Sequence, residues 1–379
     1  MQSYLIEPMA PVVFRSGKPF AGPIGADGAN FPLPSSAAGL MRTVSADQLK
    51  QHFSEALRQQ AVRGPVLVRY STPDKLTPLV PKPADALYLK GEDGETGIVR
   101  LQPGQLPENC GSDLPQGLLP VLMEKALKGK PVSGPQYWAL SDLALWQAGK
   151  SLTLSAVREH GLDSLPAEQR THVALDPDTL ASDDGRLFQT TGLDMQAAWQ
   201  PDTQRWSDTR LGFLAQTAVD LKDGLVTFGG ERRMSRMEKL AAKSDWTSRN
   251  AALGSEVRKA GGIRLTLITP AIFSGGYLPG WLDASTLEGV PPSCPGLRLK
   301  LRAVAIERWL PVSGWDLATW KPKAMRKAVA AGAVYWFSII GAVPDNLDSL
   351  WLAPVSDDPQ DNRDGFGMAV AAAWQPVNA

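Results

Sequence analysis

Residues 263–273 read IRLTLITPAIF, an apolar and β-branched run that meets a proline and opens into the loop SGGYLPGW at 274–281. Such a run predicts a strand, because β-branched side chains fit a pleated, half-buried surface and proline cannot continue the ladder. Residues 3–14, SYLIEPMAPVVF, follow the same order and run into a Gly/Pro-rich loop from Arg15 to Pro34. No residue-level repeat links the two stretches, but each heads one half of the chain. Two similarly built halves are the first expectation.

Working outward from the second stretch, Leu297, Leu299 and Leu301 alternate with Arg298, Lys300 and Arg302. A period of two places the leucines in a core and three cations on the opposite face of one strand. AVYWFSI (333–339) reads as a buried central strand, and GFGMAVAAAW (365–374) as a glycine loop entering the last strand. The apolar stretch Ala328 to Val343 is sixteen residues long, with Gly332, Ser338 and Gly341 inside it. That falls short of the roughly 20 residues needed to span a bilayer, so a buried strand is expected and no membrane partner.

In the first half, Ser35 or Ser36 is placed to cap a helix whose apolar face is Leu40, Val44, Leu49, Phe53 and Leu57. Strand character returns at 66–71, 172–176, 187–194, 211–219 and 224–230, each bounded by turn residues. Between them, about 72–170 is a Pro- and Gly-punctuated insertion with short helices expected near Leu118 to Leu127 and Ser141 to Trp146. The stretch after Glu231 is rich in cations and ends in Gly261-Gly262, which suggests a linker at 246–262. β-rich halves with few helices imply an α+β fold, with one domain over 1–245 and a second over 263–379.

Length and composition agree with that division: 379 residues favour two to three domains at about 150 residues each. Thirty-nine Lys and Arg balance thirty-nine Asp and Glu, so any polyanion-binding surface must be local. Cys110 and Cys294 are the only cysteines and His52, His160 and His172 the only histidines. This excludes a disulfide framework and a spaced zinc motif, so no metal or other cofactor is expected. The first residues, MQSYLIEPMAP, lack the basic start and apolar core of a secretory signal, and a cytoplasmic location is expected.

Seven segments in order carry a family resemblance: VVFRSGKPF, FPLPSSAAGLMRT, VTFGGERR, LTLITPAIFSGGYLPGW, SGWDL, AGAVYWF and GFGMAV. Together they resemble the RAMP subunits of type III CRISPR effector complexes, most closely the third subunit of the Cmr, or III-B, complex. The chain departs from the family pattern at Ser16-Gly17-Lys18, where Asp-Gly-Arg is usual, and at Ala333, where serine is usual. The resemblance implies two ferredoxin-like (RRM-like) domains with long loop insertions and no nuclease centre. It also implies a place holding the 5′ tag of the crRNA beside the large polymerase-like subunit and the backbone RAMP subunit.

Three groups of residues carry the chemistry that such a role needs. Arg15, Lys18, Ser35, Ser36 and Arg42 combine cations with a helix start, where unpaired amides and the dipole favour phosphate. Gly229, Gly230, Arg232 and Arg233 follow a strand, where glycines permit a reversal that aims two guanidiniums outward; the plain alternative pairs one arginine with Glu231. Gly365 and Gly367 let backbone approach a phosphate, or form a strand-entry turn with Phe366 in the core. His172 is the one candidate acid–base group of a rival reading, a metal-independent endoribonuclease that cuts repeat RNA. The sequence offers it no partner. Twelve tryptophans are present, and no base-stacking platform stands out among them.

Overall fold

Four largely buried segments of the first half build one antiparallel sheet from strands far apart in sequence. They are β1 (Gln2–Pro8), β2 (Val62–Thr72), β3 (Arg210–Thr217) and β4 (Met234–Lys239). β1 pairs on one side with β3, with Tyr4 opposite Ala215, and on the other with β4, with Tyr4 opposite Lys239; β2 lies outside β3. Helix α1 (Pro34–Leu49) connects β1 to β2 and buries Ala37, Ala38, Leu40 and Met41. Phe14, Phe213 and Phe228 meet edge to face at 5.0–6.3 Å in the same core, an arrangement that suits the ring quadrupoles.

The structure is a computed structural model that describes residues 1–14, 30–196, 198–200, 203–241, 250–316, 319–345 and 347–377. It divides into two compact units. The first comprises 1–76, 165–243 and 311–326, and the second 77–164, 244–310 and 327–379. By packing, most of the expected insertion therefore belongs with the C-terminal half of the chain. The region expected to be a linker holds an α-helix, α2 (Leu253–Ala260), which buries Leu253 and Val257 and is closed by Gly261 in left-handed backbone.

The second unit is built on β5 (Gly262–Leu267), β6 (Arg298–Ala305), β7 (Val334–Ile340) and β8 (Met368–Ala373). β5 pairs with β7 and β8, and β6 lies outside β7, all antiparallel. The order equals that of β1–β4: the first strand between the fourth and the third, the second beyond the third. Leu297, Leu299 and Leu301 are fully buried with Ile263, Leu265, Tyr335 and Phe337, as the alternation predicts. Each such leucine contributes about 1.5–3 kcal/mol of burial free energy.

The opposite face of this sheet is covered too. Ala303, Ala305, Val334 and Trp336 pack against Ala84, Leu119 and Val121 of the insertion. Arg264 forms a buried ion pair with Asp85 at 2.8 Å, and Trp146 Nε1 donates to the same carboxylate at 3.0 Å. Burial pushes the Arg264 guanidinium below its usual range, while the Asp85 charge opposes that shift. The expected helix near Ser141 to Trp146 is present as Leu140–Gln147. Near Leu118 to Leu127 the chain instead forms the short strand Val121–Met123, because Leu101, Gln102 and Pro103 offer it a ladder. Ala328–Val343 contains β7, and among the described residues no helix is long and apolar enough to cross a membrane.

Candidate nucleic-acid interface

Arg15 and Lys18 lie outside the described residues. The two ends of the segment that carries them are fixed: Asn30 Nδ2 donates to the Phe14 carbonyl at 3.1 Å. On the other side of this closure, Gly230 N donates to the Val13 carbonyl at 2.8 Å. Gly230, from the second sequence-predicted group, thus lies beside Val13, two residues before Arg15 in sequence, although some 200 residues separate the two glycines from Val13.

The start of α1 differs from expectation. Leu33 occupies the cap position without a side-chain cap, Pro34 is the first helical residue, and Ser35 and Ser36 belong to the first turn. Proline suits that position because its fixed φ is helical and its missing N–H would have lacked an intrahelical partner anyway. Arg42 does not reach the helix start. It is 4% exposed, and its Nε and Nη2 donate to the Gln60 carbonyl at 3.2 and 2.9 Å, tying α1 to the segment that enters β2.

Gly229 and Gly230 open a tight reversal between the strand Gly224–Thr227 and β4. Gly229 has φ +85°, and a side chain there would meet the Val13 carbonyl at 2.7 Å, so glycine is required. Glu231 and Arg232 follow with φ of +58° and +51°, left-handed values that side chains disfavour. The two arginines therefore part: Arg233 pairs with Glu231 at 2.7 Å, while Arg232 is exposed at the crest. The one-arginine pairing with Glu231 is what the geometry shows.

Gly365 and Gly367 are buried, with φ of +92° and +73°. Their carbonyls accept from Thr269 Oγ1 at 2.8 Å and Val355 N at 3.0 Å, and Gly367 N donates to the Pro270 carbonyl at 2.7 Å. Phe366 between them is 1% exposed. This is the strand-entry turn of the second reading, and its polar backbone serves the protein itself. Its neighbour Asp357 braces the GGYLPG loop by accepting from Ser274 N, Ser274 Oγ and Gly280 N at 2.7–2.8 Å.

The cations of β6 do not form a row. Arg298 and Lys300 both turn to Glu288, at 3.0 and 3.4 Å, because the short strand Glu288–Gly289 pairs alongside. His172 sits on a hairpin of Ala167–Leu175 with Ser182–Leu193. Its Nε2 is 2.9 Å from Thr190 Oγ1, and its ring stacks on Phe188 with centroids 5.2 Å apart. Among the described residues no group of three or more His, Cys, Asp and Glu is gathered as a metal site. Sequence reasoning passed over Trp309, Trp315 and Trp320, which are 56%, 51% and 71% exposed. Their signal was the short, proline-broken and cation-rich setting from Arg308 to Lys327, unlike the apolar run that buries Trp336.

Two four-stranded antiparallel cores of one strand order, with glycine reversals beside them, define an α+β protein of doubled architecture. A family model described as CRISPR-associated protein (Cas_Cmr3) matches residues 4–374, and the chain belongs to that family. No curated protein matches it. Among solved structures it is similar to a chain of the type III-B Cmr-beta complex bound to cognate target RNA and AMPPnP (state 1), determined by cryo-EM. Identity is 15%, 88% of this chain and 86% of that one are covered, and the TM-score is 0.47. A chain of the same complex bound to cognate target RNA gives 16% identity, the same coverage and a TM-score of 0.46.

Proposed function

We propose that this protein is the non-catalytic, crRNA-binding scaffold subunit of a type III-B effector complex, holding the 5′ tag next to the large polymerase-like subunit. The observation that carries the reading is the family match, which runs through both units and all eight core strands. On this reading both units are ferredoxin-like domains. Their common strand order is that of the β-α-β-β-α-β motif, and the first unit keeps the helix between its first and second strands.

RNA contact is assigned to the first unit, where Gly229-Gly230 with the exposed Arg232 abuts Val13 and Phe14 and the chain then enters the segment with Arg15 and Lys18. The sheet of the second unit is a poor platform. Its large outer aromatic, Trp336, is 2% exposed beneath insertion residues, whereas bases stack on accessible rings. The rival ribonuclease reading has less support, because acid–base catalysis needs poised partners and His172 meets a hydroxyl and a phenyl ring.

The test is to purify the tagged protein from its host and extract nucleic acid. Short RNAs with one common 5′ end, retained together with a large subunit, are the expected result; no RNA, or RNA of random ends, overturns the proposal. If repeat RNA is cleaved by the purified chain and His172→Ala abolishes cleavage, the ribonuclease reading replaces it.

A further inference from the structure

Within the first unit, strand Trp315–Asp316 pairs with Lys321–Pro322, with Trp315 opposite Pro322 and Asp316 opposite Lys321. The hairpin carries Trp315 and Trp320, 51% and 71% exposed, with ring centroids 6.0 Å apart and planes at 88°. An edge-to-face pair leaves at least one ring with both faces clear of the other. These rings do little for the core, since most of their surface stays in water.

The backbone supplies a second, independent observation. Trp320 has φ +55°, a left-handed conformation that is a genuine outlier for a bulky side chain. A strained position is normally left to glycine or asparagine unless the side chain is needed there, and strain of this kind clusters at binding sites. Here a large aromatic is held in strained backbone and aimed outward, with no burial to compensate it.

Charge selects the occupant. The stretch Thr319 to Arg326, TWKPKAMR, contains Lys321, Lys323 and Arg326 and no carboxylate. The nearby acid, Asp316, accepts from Thr319 N at 3.4 Å. Accessible tryptophans interleaved with cations are the combination that binds single-stranded nucleic acid: rings stack on bases of any sequence while lysines follow the phosphates. A protein-docking patch of the same size favours an apolar centre with charges excluded to its rim.

We infer that the hairpin bearing Trp315 and Trp320 is a base-stacking platform for single-stranded RNA, with Lys321 on the adjoining phosphate. It recognises unpaired bases without regard to sequence, and so does not depend on the tag-binding reading. The isolated full chain, titrated with an unstructured single-stranded RNA of about ten nucleotides, should show quenched tryptophan fluorescence. Trp315→Ala with Trp320→Ala should weaken binding about tenfold or more, and Trp320→Phe should restore part of the loss. Trp206→Ala, at an exposed tryptophan on a different hairpin, should bind like the parent.

A second measurement leaves the side chains intact: RNA carrying 5-iodouridine, irradiated on the unaltered protein, should crosslink to the peptide that contains Trp315 or Trp320. Equal affinity of the double variant, equal binding of duplex RNA, equal loss in Trp206→Ala, or crosslinks confined to other peptides would each overturn the inference. So would a double variant that binds RNA normally and loses only its capture of another subunit, which would make the hairpin a protein contact.

Discussion

Arg42 and Arg232 are single residues with the same charge and opposite environments. Arg42 is buried and satisfies the Gln60 carbonyl, whereas Arg232 stands exposed after two glycines, in left-handed backbone that costs roughly 1–2 kcal/mol. Substituting Arg232 by alanine removes no buried contact and should change stability by less than about 0.5 kcal/mol. If Arg232 meets a phosphate, the same change should reduce crRNA retention in a pull-down while the melting temperature holds. Normal retention would remove it from the interface. Asp283 gives a residue-scale expectation for pH. Its carboxylate accepts from the N–H and hydroxyl groups of Ser285 and Thr286 at 2.6–3.0 Å, led by the Ser285 hydroxyl, and its pKa is pulled down from 3.8 to about 2. A depressed folded pKa contributes stability that is present above the unfolded value and is lost as pH falls through the folded one. The turn at 283–288 should therefore stay ordered down to about pH 4 and loosen between there and pH 2, with the Asp283 carboxyl resonance titrating in the same window.

The insertion acts as an element through one buried group. Asp85 receives Arg264 and Trp146 Nε1, and Arg100 lies 3.6 Å over the Trp146 ring, so a single carboxylate organises the contact between the insertion and β5. Asp85→Ala leaves the Arg264 charge buried without its partner and should cost about 3–5 kcal/mol, read from denaturant melts. Replacing Asp85 and Arg264 together by apolar residues of similar volume should recover most of that loss. Equal loss in the single and double variants would show that packing, not charge, dominates there. This contact also marks the limit of what the sequence reveals. The strands at 66–71, 211–219 and 333–339 and the leucine alternation at 297–301 were legible because their signals are local periods. Asp85 and Arg264 are 179 residues apart and carry no period, so the attachment of residues 77–164 to the C-terminal half was not legible. The same limit applied to the candidate interface: GGERR was visible as a motif, but its separation of Arg232 from Arg233 arises from left-handed backbone at Glu231 and Arg232.

At the scale of the whole molecule, thirty-nine cations against thirty-nine carboxylates leave no long-range field to gather RNA. Ion pairing thins the local supply further, since Arg298 and Lys300 share Glu288, Arg233 holds Glu231 and Lys239 holds Asp220. On the proposed function, such a chain would hold RNA through a few phosphate contacts, through stacking and through surfaces completed by neighbouring subunits. The first of these alone is strongly salt-dependent, at roughly 0.7 logarithmic units of slope per contacted phosphate on a single strand. The isolated protein should therefore bind crRNA weakly, with a shallow dependence of log K on log salt, whereas the assembled complex should retain it through a high-salt wash. Fluorescence anisotropy of labelled crRNA across a salt series measures both. A steep slope for the lone chain, equivalent to roughly six or more released counterions, would mean an autonomous electrostatic site and would contradict a site shared between subunits.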